Sequence, residues 1–86
     1  MNKDIHKLVI QAEYSLTILP RILLIFSRRR IPVLSMHCQG QTSYQISIVF
    51  PAPLAQATLL QRQLLKQEEI LDVEIADVPS GQYANA

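Results

Sequence analysis

Apolar and polar residues alternate from His6 to Tyr14 (HKLVIQAEY), with Leu8, Ile10, Ala12 and Tyr14 on one side and Lys7, Val9, Gln11 and Glu13 on the other. A period of two marks a half-buried strand, because successive side chains leave a strand on opposite faces. The period changes at Leu19. Leu19, Ile22, Leu23 and Phe26 recur at i, i+3, i+4 and i+7, which places them on one face of a helix. Ser15 or Thr17 is available to cap its start, and with Thr17 there Pro20 takes the third helical position, where its missing N–H has no intrahelical partner. Ser27 and the run Arg28, Arg29, Arg30 close the helix, with cations at the negative end of its dipole.

Ile31 to Cys38 (IPVLSMHC) reads as a second strand, with Pro32 near its start where a missing donor is tolerated. Gly40 in the segment QGQT supplies a hairpin turn, and Ser43 to Phe50 alternates cleanly as a third strand, antiparallel to the second. Pro51 and Pro53 stop it. Leu54 to Lys66 is rich in helix formers, with Ala57, Leu60, Leu64 and Leu65 as the inward stripe. Ile70 to Val78 alternates Leu71, Val73 and Ile75 with Asp72 and Glu74, which predicts a fourth strand. Residues 79–86 carry no periodicity and are read as a flexible C-terminal tail.

The order βαββαβ predicts an α+β, ferredoxin-like domain, a four-stranded antiparallel sheet with two helices on one face. Apolar residues stand on both sides of the strands: Val9 beside Leu8, Val49 beside Ile48, Leu34 and Met36 beside Val33. The second face or an edge of the sheet is therefore expected to meet a partner.

Composition sharpens that expectation. With 86 residues there is room for one core, and 49% of the residues are apolar, more than so small a core absorbs. One cysteine, Cys38, forms no internal bridge, and with His6 and His37 it makes no zinc-binding spacing. Oligomerisation is then the expected source of further stability. A net charge of +1 offers no broad field to gather nucleic acid. The longest apolar stretch, Leu16 to Phe26, is interrupted by Pro20 and Arg21 and is too short for a membrane span. The N-terminus lacks the apolar core of a secretory signal, so a cytoplasmic location is expected.

Candidate chemistry is sparse. The loop after the first strand is EYSLT, without the backbone-donor loop and arginine that acylphosphatase-type catalysis requires, and no CxxC precedes the first helix. Tyr44 and Phe50 are too far apart on the third strand to suggest base stacking, and no acid/base pair or nucleophile constellation is present. Cys38 reads as a small buried apolar residue, and Glu68 with Glu69 as a polar turn. The arginine run is explained by the helix dipole and a solvated face, with an inter-subunit salt bridge as the sharper alternative.

The stretch Leu19, Pro20, Arg21, Ile22, then Ile25, Phe26, Ser27, Arg28, Arg29, then Val33, Leu34, Ser35, Met36 resembles the ACT domain of the small regulatory subunits of acetohydroxyacid synthase (acetolactate synthase), in the short form of isozyme II. With the Leu-Asp-Val of residues 71–73 the resemblance covers an ACT-like domain over residues 5–78. It implies a non-catalytic subunit of branched-chain amino-acid biosynthesis that binds and activates the large catalytic subunit. It also implies a homodimer through the ACT sheet. Thiamine diphosphate, FAD and magnesium would belong to the large subunit, with no cofactor on this chain.

The same resemblance places an effector-binding loop at Tyr14, Ser15, Leu16, Thr17, Ile18 and Leu19, and subunit-interface candidates at Arg21, Arg28, Arg29, Val33, Ser35 and Met36. Feedback-sensitive members carry Asn and Gly where this chain has Tyr14 and Thr17, and Gly where it has Arg30. Weak or no valine feedback is the implied consequence. The alternative reading is a free-standing ACT-type sensor that binds a branched-chain amino acid.

Overall fold

The computed structural model describes residues 4–76 and 78. The elements run β1 (Ile5–Glu13), α1 (Ile18–Arg28), β2 (Ser35–Gln39), β3 (Ser43–Pro51), α2 (Leu54–Leu65) and β4 (Ile70–Ala76). The strands form one sheet in the order β2-β3-β1-β4, and every neighbouring pair is antiparallel. This is the βαββαβ ferredoxin-like arrangement that the periodicities predict.

The core lies between the sheet and the helices. β1 contributes Leu8, Ile10 and Ala12, β3 contributes Ile46, Ile48 and Phe50, and β4 contributes Ile70 and Val73, all facing the same side. Onto them pack Ile18, Ile22, Ile25 and Phe26 of α1 and Ala57, Leu60 and Leu64 of α2. Phe26 and Phe50 meet edge to face with ring centroids 5.1 Å apart, the geometry that ring quadrupoles favour. Gln61 donates from Nε2 to the Val73 carbonyl at 2.7 Å, tying α2 to the edge strand β4.

Several positions differ from the sequence reading. The buried stripe of α1 begins at Ile18, while Leu23 turns 42% exposed, so the helix is rotated by about one residue from the predicted face. Ile31 to Leu34 lie outside β2, which is confined to five residues; Pro32 has no N–H to give a ladder, and the Leu34 N–H donates to the Val49 carbonyl of β3 at 2.8 Å just before the strand begins. The pairing of β1 with β4 shifts between Gln11 and Ala12, so that Ile70 takes the inward place and Leu71 is 59% exposed. A bulge of this kind reverses the face of every residue before it. Leu65 is also exposed, as is Tyr14, which lies beyond the end of β1, and Cys38 is half-buried rather than enclosed. β4 ends at Ala76, and the tail at 79–86 lies outside the described residues.

The second face of the sheet is mixed in character. The registers place Lys7, Val9, Gln11 and Glu13 of β1 beside Ser43, Gln45, Ser47 and Val49 of β3, with Asp72 and Glu74 of β4 and Ser35, His37 and Gln39 of β2 at the flanks. Ile5 and Val9 of β1, Val49 and Pro51 of β3 and Ala76 of β4 share this face and are apolar among those polar residues. Further apolar side chains are exposed elsewhere: Leu16 on the β1–α1 loop, Leu23 and Leu24 on α1, Leu54, Leu59 and Leu65 on α2, and Leu34 and Leu71.

Two backbone positions carry positive φ among the described residues. Gly40 sits at φ 126° in the β2–β3 hairpin, where an added Cβ would lie 1.8 Å from the Ser43 carbonyl oxygen. Only glycine fits there. Arg30 sits at φ 56°, with its N–H donating to the Ser27 carbonyl at 2.9 Å and the Ile31 N–H donating to the Phe26 carbonyl at 3.0 Å. That bonding pair is a Schellman motif, and Arg30 holds the left-handed place that glycine usually takes.

Candidate functional site

The loop between β1 and α1 is built from its own polar groups. Ser15 Oγ accepts the Thr17 backbone N–H at 3.2 Å and lies 3.2 Å from Thr17 Oγ1. Thr17 occupies the N-cap position with φ −105° and ψ −3°, and its hydroxyl makes no capping bond to the helix. Instead Thr17 Oγ1 accepts a hydrogen bond from Arg21 Nη2 at 2.9 Å. At φ −105° a side chain is unstrained, so threonine stands in this turn without the left-handed backbone that would call for glycine.

Arg21 then reaches across the fold. Its Nη1 donates to Glu69 Oε1 at 2.6 Å, joining the first turn of α1 to the turn between α2 and β4. The Glu69 carbonyl also accepts the Glu13 N–H at 2.8 Å, so this turn is held to the end of β1 as well. The hydrogen bond from Arg21 holds the Glu69 carboxyl below its ordinary value of 4.5; the Glu69 backbone N–H acts in the same direction, and partial burial opposes them. The first turn of α1 contains no acid, and a cation there opposes the helix dipole. Glu69 offsets that repulsion. Sequence reasoning takes Glu69 as a plain polar residue, yet the adverse placement of Arg21 was the available sign that an acid must approach it.

Beside the loop, Tyr14 and Tyr44 meet edge to face with centroids 5.4 Å apart. Burial raises the Tyr44 phenol above its ordinary 10.0, and Tyr14 and Cys38 nearby add to the rise. Leu16, at the crest of the loop, is 83% exposed.

The residues expected to form the loop divide into two groups. Tyr14, Ser15, Leu16 and Thr17 line its outer surface, whereas Ile18 is fully buried in the core and Leu19 packs half-buried against it. The interface candidates do not converge on one surface. Arg21 is engaged with Glu69 and Thr17; Arg28 lies in the last turn of α1; and Arg29 donates from Nε to Gln63 Oε1 at 3.0 Å, linking the two helices. Val33 and Met36 pack half-buried against the core, while Ser35 is exposed on the opposite face from Met36.

Among the described residues no group of three or more His, Cys, Asp or Glu side chains gathers to hold a metal, and no helix is long and apolar enough to cross a membrane. His37 is exposed on the open face of the sheet. His6 is half-buried on the helix-facing side of β1, its ring 6.3 Å from that of Phe50.

No family model and no curated protein sequence matches the chain. Solved structures do. The solution structure of the ACT domain from GTP pyrophosphokinase of Chlorobium tepidum superposes with a TM-score of 0.78 at 14% identity, covering 92% of each chain. The crystal structure of that ACT domain gives 0.75 at 14% identity, over 87% of this chain and 100% of the other. The C-terminal domain of the MgtC protein from Mycobacterium tuberculosis gives 0.72 at 13% identity, over 93% of each. At such identities the likeness carries the architecture and not the ligands or activity. With its element order, strand order and near-complete overlap, the chain has the fold of an ACT domain.

Proposed function

We propose that this chain is a non-catalytic regulatory subunit that acts by binding a catalytic protein, and that the protein is the large subunit of acetohydroxyacid synthase. The observation that carries the first half is the state of the β1–α1 loop. The side chains of Ser15 and Thr17 are engaged within the fold, with the Thr17 N–H on Ser15 and the Thr17 hydroxyl on Arg21, while Leu16 stands in solvent. Those engaged groups leave fewer side-chain donors and acceptors for the ammonium and carboxylate of a free amino acid. An exposed leucine at a loop crest, together with exposed Leu23, Leu24, Leu54 and Leu59 on the helical layer, suits a protein surface instead.

The second half rests on the resemblance around Phe26, Arg28, Arg29, Ser35 and Met36. On that reading thiamine diphosphate, FAD and magnesium reside on the large subunit, and a second copy of this chain joins through the ACT sheet. The chain would raise activity by binding the competent form of the catalytic subunit more tightly than the incompetent form. Weak or absent valine feedback follows from the closed loop.

Mixing the purified chain with the purified large subunit and following their co-elution by size-exclusion chromatography tests the reading. A common peak supports it, and separate peaks at micromolar concentrations refute it. Calorimetric titration of the chain alone with valine, leucine and isoleucine addresses the free-standing sensor: micromolar binding would favour the sensor and count against the closed loop.

A further inference from the structure

Arg28, Arg29 and Arg30 are all exposed at the C-terminal end of α1 and make up three of the eight Lys and Arg residues in the chain. The helix dipole accounts for Arg28, which lies in the last turn. Gln63 holds Arg29. Among the described residues no side-chain hydrogen bond or ion pair accounts for Arg30. It occupies the left-handed place of a Schellman motif at φ 56°, where an L-residue is disfavoured and glycine is at ease. Arg21 with Glu69 is the one ion pair among the described residues, so none of the described acids is paired with this run. Among the described acids, Glu13, Glu68 and Glu69 lie where β1 ends and β4 begins, Asp72 and Glu74 lie on the open sheet face, and Asp4, just before β1, is at the end of the fold where α1 closes but is not paired with the run.

We propose that Arg28, Arg29 and Arg30 form a docking epitope for a carboxylate-bearing surface of a partner protein. The proposal rests on the subunit reading above and identifies that partner as the catalytic subunit. Strained backbone of this kind gathers at binding and switch sites. A guanidinium row is suited to carboxylates because each fork matches two oxygens. Nucleic acid is the less favoured occupant, since the net charge is only +1 and the sheet face bears Asp72 and Glu74.

The test measures binding of the full-length chain to the large catalytic subunit, by fluorescence anisotropy of a labelled chain, alongside thermal melting of each variant. R28E/R30E weakens binding at least about tenfold, and raising salt from low to high weakens the wild type far more than this variant. R30G separates the two roles: it melts higher than the wild type yet binds two- to fivefold more weakly, about what loss of one exposed ion pair removes. Wild-type affinity in both variants overturns the epitope while leaving the subunit reading intact. Failure of the wild type to bind overturns both. Retention of single-stranded RNA by the wild type at physiological salt, lost in R28E/R30E without change in subunit binding, also overturns it.

Discussion

Replacing Arg30 by glycine should stabilise the domain although it removes a long side chain and adds no contact. At φ 56° an L-residue crowds its Cβ against the following carbonyl, at about 1–2 kcal/mol. Glycine is free of that repulsion but gives the unfolded chain more freedom, which takes back roughly 0.4–1 kcal/mol. The difference is a net gain of about 0.5–1 kcal/mol, or a rise of roughly 2–8 °C in melting temperature for a domain of this size. Among the described residues the exposed side chain of Arg30 makes no hydrogen bond or ion pair to offset this. Arg30→Ala keeps the Cβ and should melt within about 0.5 kcal/mol of the wild type. Arg30→Val, with its branch at Cβ, should melt lower than both. Circular dichroism melts of the four proteins give the order Gly, then wild type and Ala together, then Val. A glycine variant no more stable than the alanine variant would refute the claim that backbone conformation at this position governs the effect.

Three further outcomes follow from particular contacts. Gly40→Ala would force a Cβ to within 1.8 Å of the Ser43 carbonyl, so the hairpin must distort; a loss of about 2–3 kcal/mol is expected in urea unfolding. Glu69→Gln removes the ion pair with Arg21. Because the folded carboxyl titrates below 4.5, its contribution is complete above that pH and disappears as pH falls through the folded value. The melting temperatures of wild type and variant should therefore differ by a constant amount above about pH 5 and converge in stronger acid. Leu16→Ser should leave the urea midpoint unchanged within about 0.5 kcal/mol, since the side chain is 83% exposed, while lowering affinity for the catalytic subunit several-fold.

The architecture was legible because each element has a distinct period, and Gly40 marked the hairpin through its chemistry. What escaped was decided at the ends of elements or between distant ones. The bulge at Gln11/Ala12 exchanges Leu71 for Ile70, and alternation alone gives no sign of where a ladder slips. Leu19 and Leu23 fit a helical stripe as well as Ile18 and Ile25 do, and only packing against Phe50 and its neighbours chooses between them. Arg21 and Glu69 stand 48 positions apart, so their pairing depends on the β1, α1 and β4 ends meeting in space. That Ile18 and Leu19 belong to α1 and that Thr17 is occupied by Ser15 and Arg21 are matters of packing and side-chain geometry.

The central claim is that the chain acts on a catalytic protein and not through a free amino acid. The rate of acetolactate formation by the acetohydroxyacid synthase large subunit, followed as this chain is added with and without millimolar valine, tests it most directly. A rate that rises to saturation, along curves that coincide whether or not valine is present, is the predicted result; a rate unchanged by the chain, or a rise that valine abolishes, would contradict it.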